Sequence, residues 1–307
     1  MLIGLYTDFL WFGEVDFRGV FNRVIIARVV LFIVFALIGG GIAFLAAWLA
    51  WRGRPDEMPG ADVFSPNAQY RASIQQGIRS LLVAVPLVVA AFAGLAGQRM
   101  WRTFLLWFNG SDFGVTDPQY GRDLGFYAFA LPGLSVVVST LGLLLIVAFL
   151  IALVAHYLLG GIRIGNKAAG QPGYVSKAAR VQLAVTAGVW MLIKAAGYWL
   201  DRYFLLYGEN DIFTGASYTS INAMLPAKII LTVIALIVAA AFFASVVYKD
   251  FRIPVLATVL MLVSSLVIGN VWPALLEQFS VKPNRQAKER EYIGRNIESV
   301  SYTHLTL

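Results

Sequence analysis

Phe113-Gly-Val-Thr-Asp-Pro-Gln-Tyr-Gly-Arg-Asp-Leu-Gly-Phe-Tyr-Ala-Phe-Ala-Leu-Pro132 is a polar and aromatic stretch set between two long apolar runs, and its reading decides the fold. Facing lipid inside the hydrocarbon, Asp117, Arg122 and Asp123 would be unpaired, and the glycines and prolines would leave backbone groups without partners. The stretch therefore belongs at a membrane face. Phe126, Tyr127 and Phe129 suit the headgroup boundary, where aromatic rings concentrate. Asp117 followed by Pro118 reads as an N-cap and first-turn proline. This predicts a short ordered helix, with Gly121 and Gly125 lying close to a neighbour before Pro132 opens the next span.

Soluble domains carry about 25% charged residues, whereas this chain is 59% hydrophobic and 13% charged, with a mean hydropathy of +0.73. The class that fits is an all-α polytopic membrane protein whose first partner is the lipid bilayer. The net charge of +7 is carried in the loops, so it does not argue for nucleic acid. With no cysteine and only His156 and His304, disulfides, thiol chemistry and a multi-histidine metal site are excluded within one chain.

A spanning helix needs about 20 mostly apolar residues. Six stretches qualify, at about 24-51, 79-98, 134-159, 179-200, 226-247 and 253-276. Residues 1-23 are then an interfacial segment, 24-276 the helix bundle and 277-307 the start of a region outside it. The loops after the odd spans hold ten bases against four acids, among them Arg52, Arg54, Arg163, Lys167 and Lys177. The opposite face is acid-rich: Asp8, Glu14 and Asp16, then Asp112, Asp117 and Asp123, then Asp201, Glu209 and Asp211. The positive-inside rule makes the first set cytoplasmic and both termini extracytoplasmic, in a cell membrane. No signal peptide precedes that outside N-terminus, so an upstream span is expected and the chain reads as a fragment, the alternative being translocation of a short, weakly charged tail by the first span itself.

Small residues recur at helical spacing inside the spans: Gly39, Ala43 and Ala47; Ala90 and Gly94; Ala184 and Gly188; Ala235 and Ala239. They predict close helix packing. Pro86 is expected to kink the second span, and Pro273 and Pro283 to mark the exit from the last. Gln286 to Val300 reads as an amphipathic helix whose stripe of Ile293, Ile297 and Val300 needs a surface to pack on. None of the six spans contains Asp or Glu, which disfavours proton coupling and an intramembrane aspartyl dyad. Lys194 is the sharpest exception, with Tyr198 and Asp201 on the same helix face. It lies about two turns from the expected helix end, within snorkelling reach. Arg28 and His156 carry the same interfacial reading. No hydrolase elbow, metalloprotease motif or Walker loop occurs, and the acids match no EF-hand spacing. No cofactor is indicated.

Six segments in order carry a resemblance: Leu5-Tyr-Thr-Asp-Phe-Leu-Trp-Phe-Gly, Phe113-Gly-Val-Thr-Asp-Pro-Gln-Tyr-Gly, Gly125-Phe-Tyr-Ala-Phe-x-Leu-Pro132, His156-Tyr-Leu, Asp211-Ile-Phe-Thr-Gly-Ala-Ser-Tyr and Glu277-Gln-Phe-Ser-Val-Lys-Pro-Asn284. With them the chain resembles the uncharacterised protein family 0182, long bacterial membrane proteins, from about Leu5 to Val300. The resemblance implies a further span upstream and a large extracytoplasmic domain downstream. It supplies no activity and no catalytic residues. From Ser301 the sequence departs from the pattern. The expected function is a non-enzymatic platform that anchors an outer domain and binds envelope or membrane proteins, with a transporter or channel second and an intramembrane enzyme third. Lys194, Asp201, Asp117, Arg122, Asp123, Phe126 and Asp211 are the candidate functional residues. The sequence sets no oligomeric state.

Overall fold

A computed structural model describes residues 2–55, 66–163, 165, 173–208, 214–248 and 252–305. The protein is all-α, and six of its helical runs are long and apolar enough to cross a membrane: Arg18–Arg52, Ser80–Phe108, Phe126–Leu158, Lys177–Tyr207, Ser220–Tyr248 and Arg252–Arg295. Each contains one of the six expected spans apart from a residue at an end, and most run further. Hydropathy stops at the edge of the hydrocarbon, whereas the backbone hydrogen-bond ladder does not. Leu37, Phe92, Ile237 and Leu256 are each more than 60% exposed. Such continuous apolar surface is stable against lipid and unfavourable in water.

Two compact units divide the chain, Met1–Gly110 with Val147–Ala179, and Ser111–Ile146 with Arg180–Leu307. In the first, α1 (Leu2–Glu14) leads to α2 (Arg18–Arg52), which pairs with α3 (Pro66–Gly97). A 3-10 turn at Gln98–Met100 then leads into α4 (Trp101–Phe108). The small-residue stripe is the packed face of α2: Leu31, Phe35, Gly39, Ala43, Ala47 and Ala50 are buried. A Cβ added to Gly40 would lie 2.9 Å from that of Ala90, and one on Gly94 would lie 2.8 Å from the Phe32 ring. Pro86 is buried inside α3, and the helix continues through it. The hairpin of β1 (Ile162–Arg163) and β2 (Tyr174–Val175) precedes Ser176, whose Oγ accepts the Ala179 N–H at 3.1 Å as an N-cap. His156 is fully buried against the Gly161 turn. The imidazole, near the end of α5, is thus covered by the turn that follows it.

The helix α5 (Leu131–Leu158) belongs to both units by sequence, and α6 (Lys177–Phe204) lies largely in the second. The second unit also contains α7 (Leu225–Tyr248), α8 (Arg252–Leu266), α9 (Trp272–Leu276) and α10 (Arg285–Leu305). Its core joins Met191 and Ala195 of α6, Ala235, Val238, Ala239 and Phe242 of α7, and Met261 of α8.

Among the described residues four wide turns interrupt the helices, and each closes on the residue before a proline. Leu131, Leu225, Trp272 and Lys282 donate their N–H groups to carbonyls five residues back, at Phe126, Ser220, Val267 and Glu277. Pro132, Pro226, Pro273 and Pro283 follow. A proline ring clashes with the carbonyl four residues earlier, and a turn widened by one residue moves that carbonyl clear. The helical path runs through both Pro273 and Pro283 into α10.

Candidate functional site

The site lies in the second unit, where the segment from Ser111 to Tyr127 meets the ends of α6, α7 and α10. Asp117 is not the cap of a helix. Its carboxylate accepts the N–H groups of Gln119 (3.0 Å) and Tyr120 (2.6 Å), and its carbonyl accepts that of Gly121 (2.9 Å), which closes a turn. Gly121 has φ +63° with open space where a side chain would stand, so it serves the turn and not close packing. Thr116 and Asp123 bridge across the turn as an antiparallel pair.

Asp123 is the residue that opens the helix. Its carboxylate accepts Gly125 N–H at 2.6 Å and reaches back to the amides of Phe113 (3.0 Å) and Gly114 (2.8 Å). The Phe113 bond, joined by those of Gly125, Gly114 and Val115, outweighs desolvation and holds the Asp123 carboxyl below its ordinary range. Gly125 has no room for a side chain, since an added Cβ would collide with the Ser111 carbonyl.

Asp117 is buried, and the Tyr127 hydroxyl donates to its Oδ2 at 3.0 Å. Tyr120 donates to the Arg202 carbonyl at 2.7 Å, and Tyr207 to the Tyr127 carbonyl at 2.6 Å. Burial, opposed by Arg202 and aided by Asp117, pushes the Tyr120 hydroxyl up to about 12, so it remains a donor at physiological pH. Phe126 packs edge-on to Tyr127 and Tyr203, with centroids 5.3 Å away in both cases. Arg122 lies over the Phe126 ring at 5.5 Å, and Arg202 over Trp199 at 3.4 Å. Asp211 lies outside the described residues.

Lys194 and Asp201 line one groove between α5 and α6, with Ser135, Ser139, Gly142 and Tyr198, and its volume is about 360 Å³. They are not each other's partners. Asp201 pairs with Lys228 of α7 at 2.8 Å, while the Lys194 ammonium lies 5.2 Å from the Tyr198 ring centre. Lys228 lies 5.7 Å from the same ring. Because α6 reaches Phe204, Lys194 lies nearly three turns from the helix end and not two. Sequence reasoning missed Lys228, which reads as an ordinary residue at the start of a span.

Two further residues escaped the sequence, Glu277 and Glu289. Ser217 caps the helical run leading into α7, its Oγ accepting Ser220 N–H at 3.2 Å. The buried Glu289 carboxylate accepts Tyr218 N–H at 3.0 Å, and Glu277 accepts the Thr219 hydroxyl. Two carboxylates thus sit where the free amides and the helix dipole favour negative charge. Lys288 reaches the Tyr218 hydroxyl at 3.1 Å, Asn222 donates to Tyr292 at 3.0 Å, and Arg295 donates to Gln119 at 3.1 Å. The tail helix α10 is therefore attached by its polar face. Ile297 of its apolar stripe is 60% exposed and Ile293 is half-buried, so the surface that stripe was expected to need is not supplied at Ile297 by the described residues.

Among the described residues no group of three His, Asp or Glu side chains converges to hold a metal ion. No solved structure matches the chain. A UPF0182 protein of Corynebacterium glutamicum is 61% identical over 304 residues, covering 99% of this chain and 31% of the relative. One of Corynebacterium diphtheriae is 58% identical over 303 residues, with 99% and 31% covered. One of Rhodococcus opacus is 48% identical over 298 residues, with 96% and 30% covered. The chain thus spans about 31% of the length of the first of these relatives. The family match runs past Ser301, where the resemblance was expected to end: the sequence pattern of the uncharacterised protein family UPF0182 is matched over residues 1–303, and the chain belongs to that family.

Proposed function

We propose that this chain is the membrane-embedded mount of a bacterial envelope platform, non-enzymatic, in the plasma membrane, with the 111–127 segment and α10 on the extracytoplasmic side. One observation carries this reading. The end of the last span and α10 are hydrogen-bonded to Tyr218 and Thr219 at the start of α7 and to Gln119 of the 111–127 segment. A lever held at several points transmits position rigidly, as a mount for whatever follows it must. The partners of the chain are the bilayer and other envelope or membrane proteins.

Hydrogen exchange on the full chain in nanodiscs tests the reading. Glu289→Ala leaves the Tyr218 amide unpaired at a cost of about 1–3 kcal/mol. It is expected to raise exchange jointly at 117–120, 218–222 and 285–295, with the apolar middles of the spans unchanged. Exchange raised at Tyr218 alone would mean that these contacts are not one rigid unit. A second reading, a solute path, draws on Lys194 and Asp201 facing one groove. Solute flux in proteoliposomes that Lys194→Met abolishes would replace the mount with a transporter.

A further inference from the structure

We propose that the groove between α5 and α6 is a binding site for one anionic phospholipid, its phosphodiester on Lys194 and an acyl chain along the groove floor. The lining runs over Ser135 to Ile146 on one helix and Trp190 to Asp201 on the other, about 16 Å of helix. Its two ends differ in chemistry. Val138 faces Gly197, and Ile193 faces Gly142, each 3.7 Å from where a Cβ would stand, so the helices are antiparallel and Ser135 shares an end with Asp201. Ser135, Ser139, Tyr198 and Asp201 make that end polar, while Leu143, Ile146, Trp190 and Ile193 make the other apolar. Leu143 is 62% exposed, so the groove opens sideways.

Charge selects the sign of the ligand. Asp201 is satisfied by Lys228, and Lys194 has no carboxylate within ion-pair distance among the described residues. Two ammonium groups therefore share the Tyr198 ring with one carboxylate beside them, leaving one excess positive charge. A phosphodiester carries one negative charge and takes hydrogen bonds from an ammonium and from a hydroxyl such as that of Ser135. A volume of about 360 Å³ is within the range of small-ligand sites. The polar-to-apolar gradient distinguishes a lipid from free phosphate, because free phosphate has no use for the apolar end. The inference does not depend on the mount reading.

Native mass spectrometry of the full chain, delipidated and titrated with phosphatidylglycerol, tests the site. Lys194→Met is expected to weaken retention of the tightest lipid about fivefold or more, and Lys194→Arg to keep it. Gly142→Leu retains the lysine but fills the groove, and is expected to weaken retention equally with helix content unchanged. Retention by either Lys194→Met or Gly142→Leu at the wild-type level would overturn the proposal. So would equal retention of phosphatidylcholine, which would make the lipid merely annular, or displacement by millimolar inorganic phosphate, which would make the site one for a free anion.

Discussion

Asp117 and Asp123 are chemically the same residue six positions apart, yet one closes a turn and the other starts a helix. Their neighbours decide which. Asp117 is followed by three residues that turn back on it, and its remaining acceptor capacity is used by a buried tyrosine. Asp117→Ala leaves the Tyr127 hydroxyl without its partner, and is expected to cost about 1–3 kcal/mol. Asp117→Asn keeps an acceptor and costs less, a difference that thermal unfolding in detergent measures. Asp123 makes a pH-dependent contribution. Its folded carboxyl titrates below the ordinary 3.8, so its stabilisation is fully present above that value and is lost as pH falls through the lower folded one. Protease cleavage between Ser111 and Gly125 is expected to rise only below about pH 4, and in Asp123→Asn to lose that pH dependence. Sequence reading placed the cap at Asp117 because Asp-Pro is a strong local signal. The bonds from Phe113 and Gly114 that recruit Asp123 come from ten and nine residues away.

At the scale of the element, the pairing of α2 with α3 rests on removal of side chains where the backbones approach. Gly40→Val is expected to push Ala90 away, costing about 1–3 kcal/mol by overpacking. Gly41→Val, where a Cβ meets nothing within 4 Å, is the control. Comparing the two variants by thermal unfolding isolates the contact. The prolines obey a second rule. Pro132, Pro226, Pro273 and Pro283 all follow a wide turn, and the helix survives each of them. An isolated proline reads as a stop because its ring forbids the regular ladder. Beyond their prolines α9 and α10 continue, and Glu277 and Glu289 bond the start of α7.

For the whole molecule, sidedness is the open prediction. Bases concentrate in the loops after the odd spans, and on the positive-inside rule those loops are expected to be cytoplasmic. The chain has no cysteine, so one introduced at a time reports cleanly. Tyr174→Cys is expected to resist an impermeant thiol reagent in intact cells, and Phe113→Cys to react. Both positions are exposed in the structure, so burial does not confuse the result. The opposite labelling would invert the topology and move the α10 mount to the cytoplasm.

The six apolar runs and the small-residue faces were determined by the sequence alone, because transfer into lipid depends on a window of about 20 consecutive residues and helix faces repeat every few. The candidate site was only partly legible. Lys194 and Asp201 stand seven apart on one helix and were expected to face together, which they do in the groove. The partner of Asp201 is 27 residues away on another helix, and no local pattern announces it. Glu289 looked like one charge among many on an amphipathic tail, and its burial against Tyr218, 71 residues away, exists only once α7 has a free N-terminus to be capped. Hydropathy and helix periodicity are properties of neighbours in the chain. Which carboxylate meets which amide is a property of neighbours in space, and there tertiary structure alone decided.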